Sequence, residues 1–213
     1  MGVSVKVSDT VYENVSGVYL PLTDGTGNHF FADTTWMDGQ GVLEIAGLER
    51  QWFPIKKEDL GGATGLSLPD CTVVAQEIYG AFSTLNFPKL KQIVKGGIKN
   101  SACTELRFPE LETCSVLYGL AYHAKATKIV LPKINTIGNS CFLNDAALET
   151  LVFGGDTMVP FVANCLNGCT KMLNGSGFIY VKSALLAQYQ ADESWAASGV
   201  SFRAIEDYPD VME

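Results

Sequence analysis

Basic side chains, histidine and long apolar runs are what this sequence has least of. Fifteen Lys and Arg stand against twenty-three Asp and Glu, a formal charge of -8 with a pI near 4.8. A nucleic-acid groove or a face for anionic lipid needs clustered cations to neutralise phosphate, and no basic stripe is present. Only two histidines occur, His29 and His123. Neither lies beside a Cys, Asp or Glu cluster that would suggest a metal site or a triad. His29, next to Phe30 and Phe31, reads as a strand or turn residue, and His123 as an exposed loop residue. Asp24-Gly25-Thr26-Gly27-Asn28 lacks the spaced carboxylates and terminal Glu of a calcium loop. Gly61-Gly62-Ala63-Thr64-Gly65 lacks the Lys-Ser/Thr ending of a phosphate loop. The expectation is a non-enzymatic chain with no catalytic residues, cofactor or metal.

No apolar run reaches the length of a bilayer span. The opening Met1-Gly2-Val3-Ser4-Val5-Lys6 has no basic segment followed by an apolar stretch and a cleavage site. The chain is therefore expected either to be already processed or never to carry a signal peptide. With 213 residues, 47% apolar and 18% charged, it can fold as one extended domain or as a repeat domain with a small appendage. Cys71, Cys103, Cys114, Cys141, Cys165 and Cys169 are spread through a segment with its own apolar ladder, so they read as buried thiols. A local Cys165–Cys169 bridge is the alternative.

What is present is a returning phrase: Leu66-Ser67-Leu68-Pro69, Leu85-Asn86-Phe87-Pro88, Leu106-Arg107-Phe108-Pro109, Ile129-Val130-Leu131-Pro132, Leu151-Val152-Phe153-Gly154 and Ile179-Tyr180-Val181-Lys182. The steps between phrases are 19, 21, 23, 22 and 28 residues, a spacing that signals a repeat architecture. Within each phrase the first and third residues are apolar and the second varies, the period of a strand with one buried face. After each proline comes one charge and then one apolar residue: Asp70-Cys71, Lys89-Leu90, Glu110-Leu111 and Lys133-Ile134. Stacked at about 4.8 Å per strand, those charges would form a ladder of alternating sign.

Before the repeats, Val3 to Ile55 has a β texture, with Val3, Val5 and Val7 alternating with polar residues. Turn signals fall at residues 24–28 and 38–41. Residues 1–60 are thus expected to form a small antiparallel β module, with Trp36, Trp52 and Phe53 closing it against the repeats. Glu44 to Phe53 is either a further strand or a short helical turn. The polar, glycine-rich stretch 56–65 marks the junction, and the repeats run over 61–181. Residues 182–213 form a cap. Ser183 is placed as a helix N-cap, Leu185, Leu186 and Tyr189 share a helical face, and Gly199 ends the helix. The acidic run from Glu206 to Glu213 reads as a solvated end.

The stretch Leu131-Pro132-Lys133-Ile134-Asn135-Thr136-Ile137-Gly138-Asn139-Ser140-Cys141-Phe142, continuing to Leu148-Glu149-Thr150-Leu151, resembles the BspA-like class of bacterial leucine-rich repeats, and Cys169-Thr170-Lys171-Met172 resembles its cysteine-and-leucine turn. The resemblance covers about residues 61 to 205. It implies a mainly β fold: an irregular leucine-rich-repeat solenoid with the N-terminal β module and a C-terminal capping helix. Three departures are visible, one of them Gly154 in place of proline in the repeat starting at 151. The repeat starting at 85 lacks a good Ile-Gly phrase, and the 28-residue step implies an insertion near Gly154 to Asn164.

Repeat proteins work through surface, so the candidate binding residues lie on two columns. One is the outward column of the phrase, Ser67, Asn86, Arg107, Val130, Val152 and Tyr180, of which Arg107, Val130, Val152 and Tyr180 form the candidate patch. The other comprises Tyr79, Tyr118 and Tyr122 on the turns. Val3 through Pro21, with Phe31-Ala32-Asp33-Thr34, resembles the starts of phage and prophage structural proteins that carry such repeats. This implies a virion component held to other virion proteins through the N-terminal module and contacting a host-surface protein or glycan through the repeats. Neither nucleic acid nor membrane insertion is expected. Virion appendages are commonly symmetric homo-oligomers, although no heptad segment is there to drive assembly. The alternative is a secreted or cell-surface bacterial adhesin built on the same repeats.

Overall fold

The computed structural model describes residues 42–213 apart from 46, 52–53, 60–62, 116 and 118, and before residue 42 the backbone of five short strands. The fold is mainly β, with most strands paired in parallel sheets and few helices.

The leucine phrase sets the register of one face. Leu43 lies beside Leu66, and Leu66 beside Leu85. Further along, Leu106 pairs with Ile129, Ile129 with Leu151, Leu151 with Ile179, and Ile179 with Phe202. Most inward side chains of these strands are fully enclosed, Leu66, Leu68, Ile129, Leu131, Leu151 and Ile179 among them. A second face carries Gln51, Val74, Ile93, Cys114 and Ile137 in register. A third face places Ile55, Ile78 and Ile98 side by side. Successive turns thus bring apolar residues into register on each face, most of them buried, which is how a short phrase builds a core.

Parallel pairing begins earlier than the junction at 56–65 suggested. Val42–Ile45 pairs antiparallel with Thr35–Met37 on one side and parallel with Gly65–Ser67 on the other. Arg50–Gln51 and Ile55–Lys56 also pair parallel with later turns. Residues 42–56 are therefore one more turn of the stack, and the division expected at 60/61 falls inside it. The disguise is chemical. Gln51 stands where later turns place an apolar residue, and its buried carboxamide oxygen accepts from the amides of Ala75 at 3.1 Å and Gln76 at 2.9 Å. Upstream, Val3–Val7 pairs antiparallel with Thr10–Val15, and Leu22–Thr23 with His29–Phe30. Trp52, Phe53 and the turn residues 24–28 and 38–41 lie outside the described residues, as does the side chain of Trp36.

The turns carry a second periodic signal, a column of left-handed residues. Gly80, Asn100, His123, Asn144 and Gly168 all have positive φ, between +52° and +126°. The N–H of each of the first four donates to the carbonyl just before the next member: Gly80 to Lys99, Asn100 to Tyr122, His123 to Leu143 and Asn144 to Asn167. The turn after Leu85 therefore has the same geometry as its neighbours, with Ile98-Lys99-Asn100 replacing the missing Ile-Gly phrase. Asn tolerates the left-handed region that glycine otherwise supplies. Gly154, which replaces proline in the fifth phrase, is required by contact: a Cβ there would lie 2.9 Å from Pro132 Cα.

On the phrase face, among the described residues, continuity is broken between two sheets. Thr84–Asn86 ends a four-stranded sheet and Glu105–Arg107 begins a five-stranded one, although both belong to the phrase face. The post-proline charges follow the same division. Lys89 Nζ lies 2.7 Å from Asp70, and Lys133 Nζ 2.6 Å from Glu110. Among the described residues Lys89 and Glu110 are not paired, so the expected ladder is realised as two separate pairs. Lys89, with help from the Gly47 N–H, holds the Asp70 carboxyl below its usual range.

The cap is two helices rather than one. After α1 (Thr170–Leu173), α2 (Ser183–Ala191) ends where Asp192 turns extended, and the Asp192 carboxylate caps α3 (Glu193–Ala197) by accepting from the amides of Ser194 and Trp195. Ser183 is the first residue of α2, and the N-cap position falls to Lys182, which makes no side-chain cap. Gly199, at φ +79°, follows α3 as the sequence suggested. Tyr189 and Trp195 are buried over the last turns, with Leu185 and Leu186 packed beside them.

Candidate functional site

The outward column of the phrase divides into two chemistries. Its first members form a polar row: Ser67 Oγ donates to Glu44 at 3.3 Å, and Asn86 Nδ2 donates to Ser67 Oγ at 3.0 Å. Its later members, Val130, Val152 and Tyr180, form a small second core with Phe178, Ile205, Val211 and Met212. Val130 and Val152 are completely enclosed. Their cover is the acidic segment 205–213, folded back as two short 3-10 turns, Ile205–Asp207 and Pro209–Met212. Two expectations are thereby corrected. The segment is not a solvated end, and the Arg107, Val130, Val152 and Tyr180 patch is not an open surface. The physical reason is amphipathicity: Ile205, Val211 and Met212 turn inward while Glu206, Asp207, Asp210 and Glu213 stay exposed.

Basic side chains hold this cover at its margin. The Arg107 guanidinium donates to the Met212 carbonyl and, through its other nitrogen, to Glu105 at 2.8 Å. Lys128 Nζ reaches the Asp210 carbonyl at 3.4 Å. Nearer the stack, Arg203 lies 3.3 Å above the Phe178 ring and 4.9 Å from that of Tyr208, and Tyr208 meets Tyr180 edge-on at 5.6 Å. Such contacts stabilise by about 0.5–1 kcal/mol each where exposed and by more where water is excluded. The backbone amide of Glu206 itself lowers its carboxyl pKa, and the first amide of α2, from which the carboxylate accepts at 2.8 Å, adds to this.

The open surface is on the third face. Register places Lys56, Tyr79, Lys99 and Tyr122 in one column, each a single turn from the next. Tyr79 is 43% exposed, enough for a ring face to meet a partner. The Lys99 ammonium lies 2.5 Å from Glu77, and its side chain is only 16% exposed. His123 packs edge-on against Tyr122 with ring centres 4.2 Å apart, and its Nε2 lies 3.2 Å from the Asn144 carboxamide nitrogen. A cavity of about 400 Å³ opens beside Tyr79, lined by Lys57, Glu58, Ala63, Gly80 and Ala81. Two expected members, Tyr79 and Tyr122, are therefore brought together, while Tyr118 lies outside the described residues. Lys56 and Lys99 were missed. Treating Ile55, Ile78 and Ile98 as equivalent positions would have found them, since each column member follows one of these or its equivalent.

Groups able to do covalent chemistry are held inside. All six cysteines are buried and unbridged, including Cys165 and Cys169. Burial pushes the Cys71 and Cys165 thiols up to about 11 and Cys169 up to about 12. Cys141 Sγ lies 3.6 Å from Cys114 Sγ, and Cys169 Sγ donates to the Phe142 carbonyl at 2.9 Å. Asp145 is fully enclosed nearby. Burial raises its carboxyl to about 7, the Ala147 amide pulling the other way. Among the described residues no group of His, Cys, Asp or Glu is arranged to hold a metal ion. No helix among them is long and apolar enough to cross a membrane.

Comparison with known proteins gave no match: no family model, no curated protein and no solved structure is significantly similar to this chain.

Proposed function

We propose that this chain is a non-enzymatic display protein: a BspA-like leucine-rich-repeat solenoid serving as a structural or adhesive component of a bacteriophage virion. The N-terminal strands attach it to other virion proteins. The third face, through Tyr79, Lys99 and Tyr122, meets a host-surface protein or glycan. The observation that carries the reading is the in-register return of one apolar phrase through successive parallel turns. That geometry spends the chain on a long regular surface, whose exposed part offers the Tyr79 ring and the Glu77 carboxylate, with Tyr122 half-buried further along. Tyrosine side chains suit recognition because a rigid ring covers area with little entropy lost.

Mass spectrometry of intact, purified phage particles tests the assignment. The chain should appear at a fixed ratio to the other structural proteins, and its absence from particles would sink the virion reading. Recovery from a bacterial envelope fraction instead would support the adhesin. With particles in hand, Tyr79→Ala together with Tyr122→Ala should reduce adsorption to host cells while leaving particle assembly intact.

A further inference from the structure

We propose that the outer face of strands Lys128–Leu131, Thr150–Phe153 and Phe178–Val181 is a peptide-docking groove, and that its exchange occupant is the 209–213 segment of a second copy of this chain. In one copy the groove is filled from within, which defines what it accepts: a short acidic segment whose two apolar side chains, Val211 and Met212, lie on Val130 and Val152. The groove reads main chain as well, because Arg107 and Lys128 both donate to carbonyls of the segment, those of Met212 and Asp210. Its basic margin complements the net negative charge carried by Asp210 and Glu213.

The cover has an anchored part and a light part. Residues 203–208 are fixed by the Arg203 contacts to Phe178 and Tyr208, by Tyr208 on Tyr180 and by Glu206 on the α2 amide. Beyond Tyr208, at φ −140° and ψ 62°, the chain makes one 3-10 turn that pairs with no strand. Val211 and Met212 are only half-buried although Val130 and Val152 beneath them are enclosed. A segment so lightly held opens locally at small free-energy cost. Every contact it makes in its own copy is available in a neighbour, since groove and segment are present in each chain. Where copies stand close together, a condition that rests on the virion reading proposed above, exchange then links chains through contacts already in the fold.

The test uses two full-length variants, Val130→Asp, which spoils the groove, and Val211→Asp with Met212→Asp, which spoils the segment. Neither alone can exchange. Mixed at equal concentration, the intact segment of the first should seat in the intact groove of the second. Sedimentation should then show a one-to-one heterodimer about tenfold tighter than either self-association, and a synthetic peptide of residues 208–213 should dissolve it. If Val130→Asp does not fold, Arg107→Glu replaces it as the groove variant. A mixture of folded variants that stays monomeric up to millimolar concentration overturns the proposal, as does a heterodimer that the peptide leaves intact.

Discussion

The hydroxyl of Tyr189 in α2 accepts a hydrogen bond from the main-chain N–H of Val159 at 2.7 Å. Val159 lies within the long step between the fifth and sixth phrases, where the repeat is interrupted, and its carbonyl accepts from Trp195 Nε1 of α3 at 2.9 Å. The cap thus satisfies both polar groups of one buried peptide residue in the insertion. Tyr189→Phe leaves that N–H buried and unpaired, and should destabilise the protein by about 1–3 kcal/mol in urea unfolding. A loss near zero would mean that another acceptor replaces the hydroxyl.

Stability should fall as the solution becomes more alkaline through the acidic range. The Asp145 carboxyl is raised by burial from 3.8 to about 7. A raised acid favours the folded state while it is protonated. Its contribution is complete below about pH 4 and is lost as pH climbs through about 7, up to a limit of about 4 kcal/mol. Asp145→Asn should flatten this slope in denaturant midpoints taken from pH 4 to pH 8. An unchanged slope would assign the pH dependence to other groups.

Thiol reactivity should follow enclosure. With Cys71 and Cys165 near 11 and Cys169 near 12, the thiolate fraction at pH 8 is about a thousandth or less. A chromogenic disulfide reagent should label the native protein slowly and all six cysteines at once in guanidinium. Rapid native labelling of any described thiol would contradict its enclosed position.

The left-handed column makes a prediction that runs against ordinary substitution rules. Asn100→Gly should be neutral or slightly stabilising, because φ is already +56°. Asn100→Val, the choice that strand propensity alone would recommend, should cost about 1–2 kcal/mol. Thermal unfolding of the pair decides it, and equal melting temperatures would remove the strain.

The apolar positions of Leu66 through Ile179 were legible because a buried strand face writes itself as alternation, and the repeat spacing supplied the register. Residues 42–56 were hidden because Gln51 satisfies backbone amides where later turns bury hydrocarbon. Asn100 and His123 were hidden too, since the left-handed conformation leaves no apolar signal and glycine alone advertises it. Of the candidate surfaces, the Tyr79 and Tyr122 column was legible from exposed rings on turns. The cover over Val130 and Val152 was not. Whether an outward valine faces water depends on a segment 81 residues after Val130 and 59 after Val152, beginning at Val211, which local pattern cannot relate to it. An acidic composition around two apolar residues reads as tail whether or not it finds a groove.

The break between Thr84–Asn86 and Glu105–Arg107 is confined to one face of the stack. On the second face Gln92–Ile93 pairs with Thr113–Cys114 across it, and on the third the N–H groups of Ile98 and Asn100 donate to the Gly119 and Tyr122 carbonyls. Tyr79 and Tyr122 therefore stand on opposite sides of a break over which main-chain bonds of the other two faces carry the column.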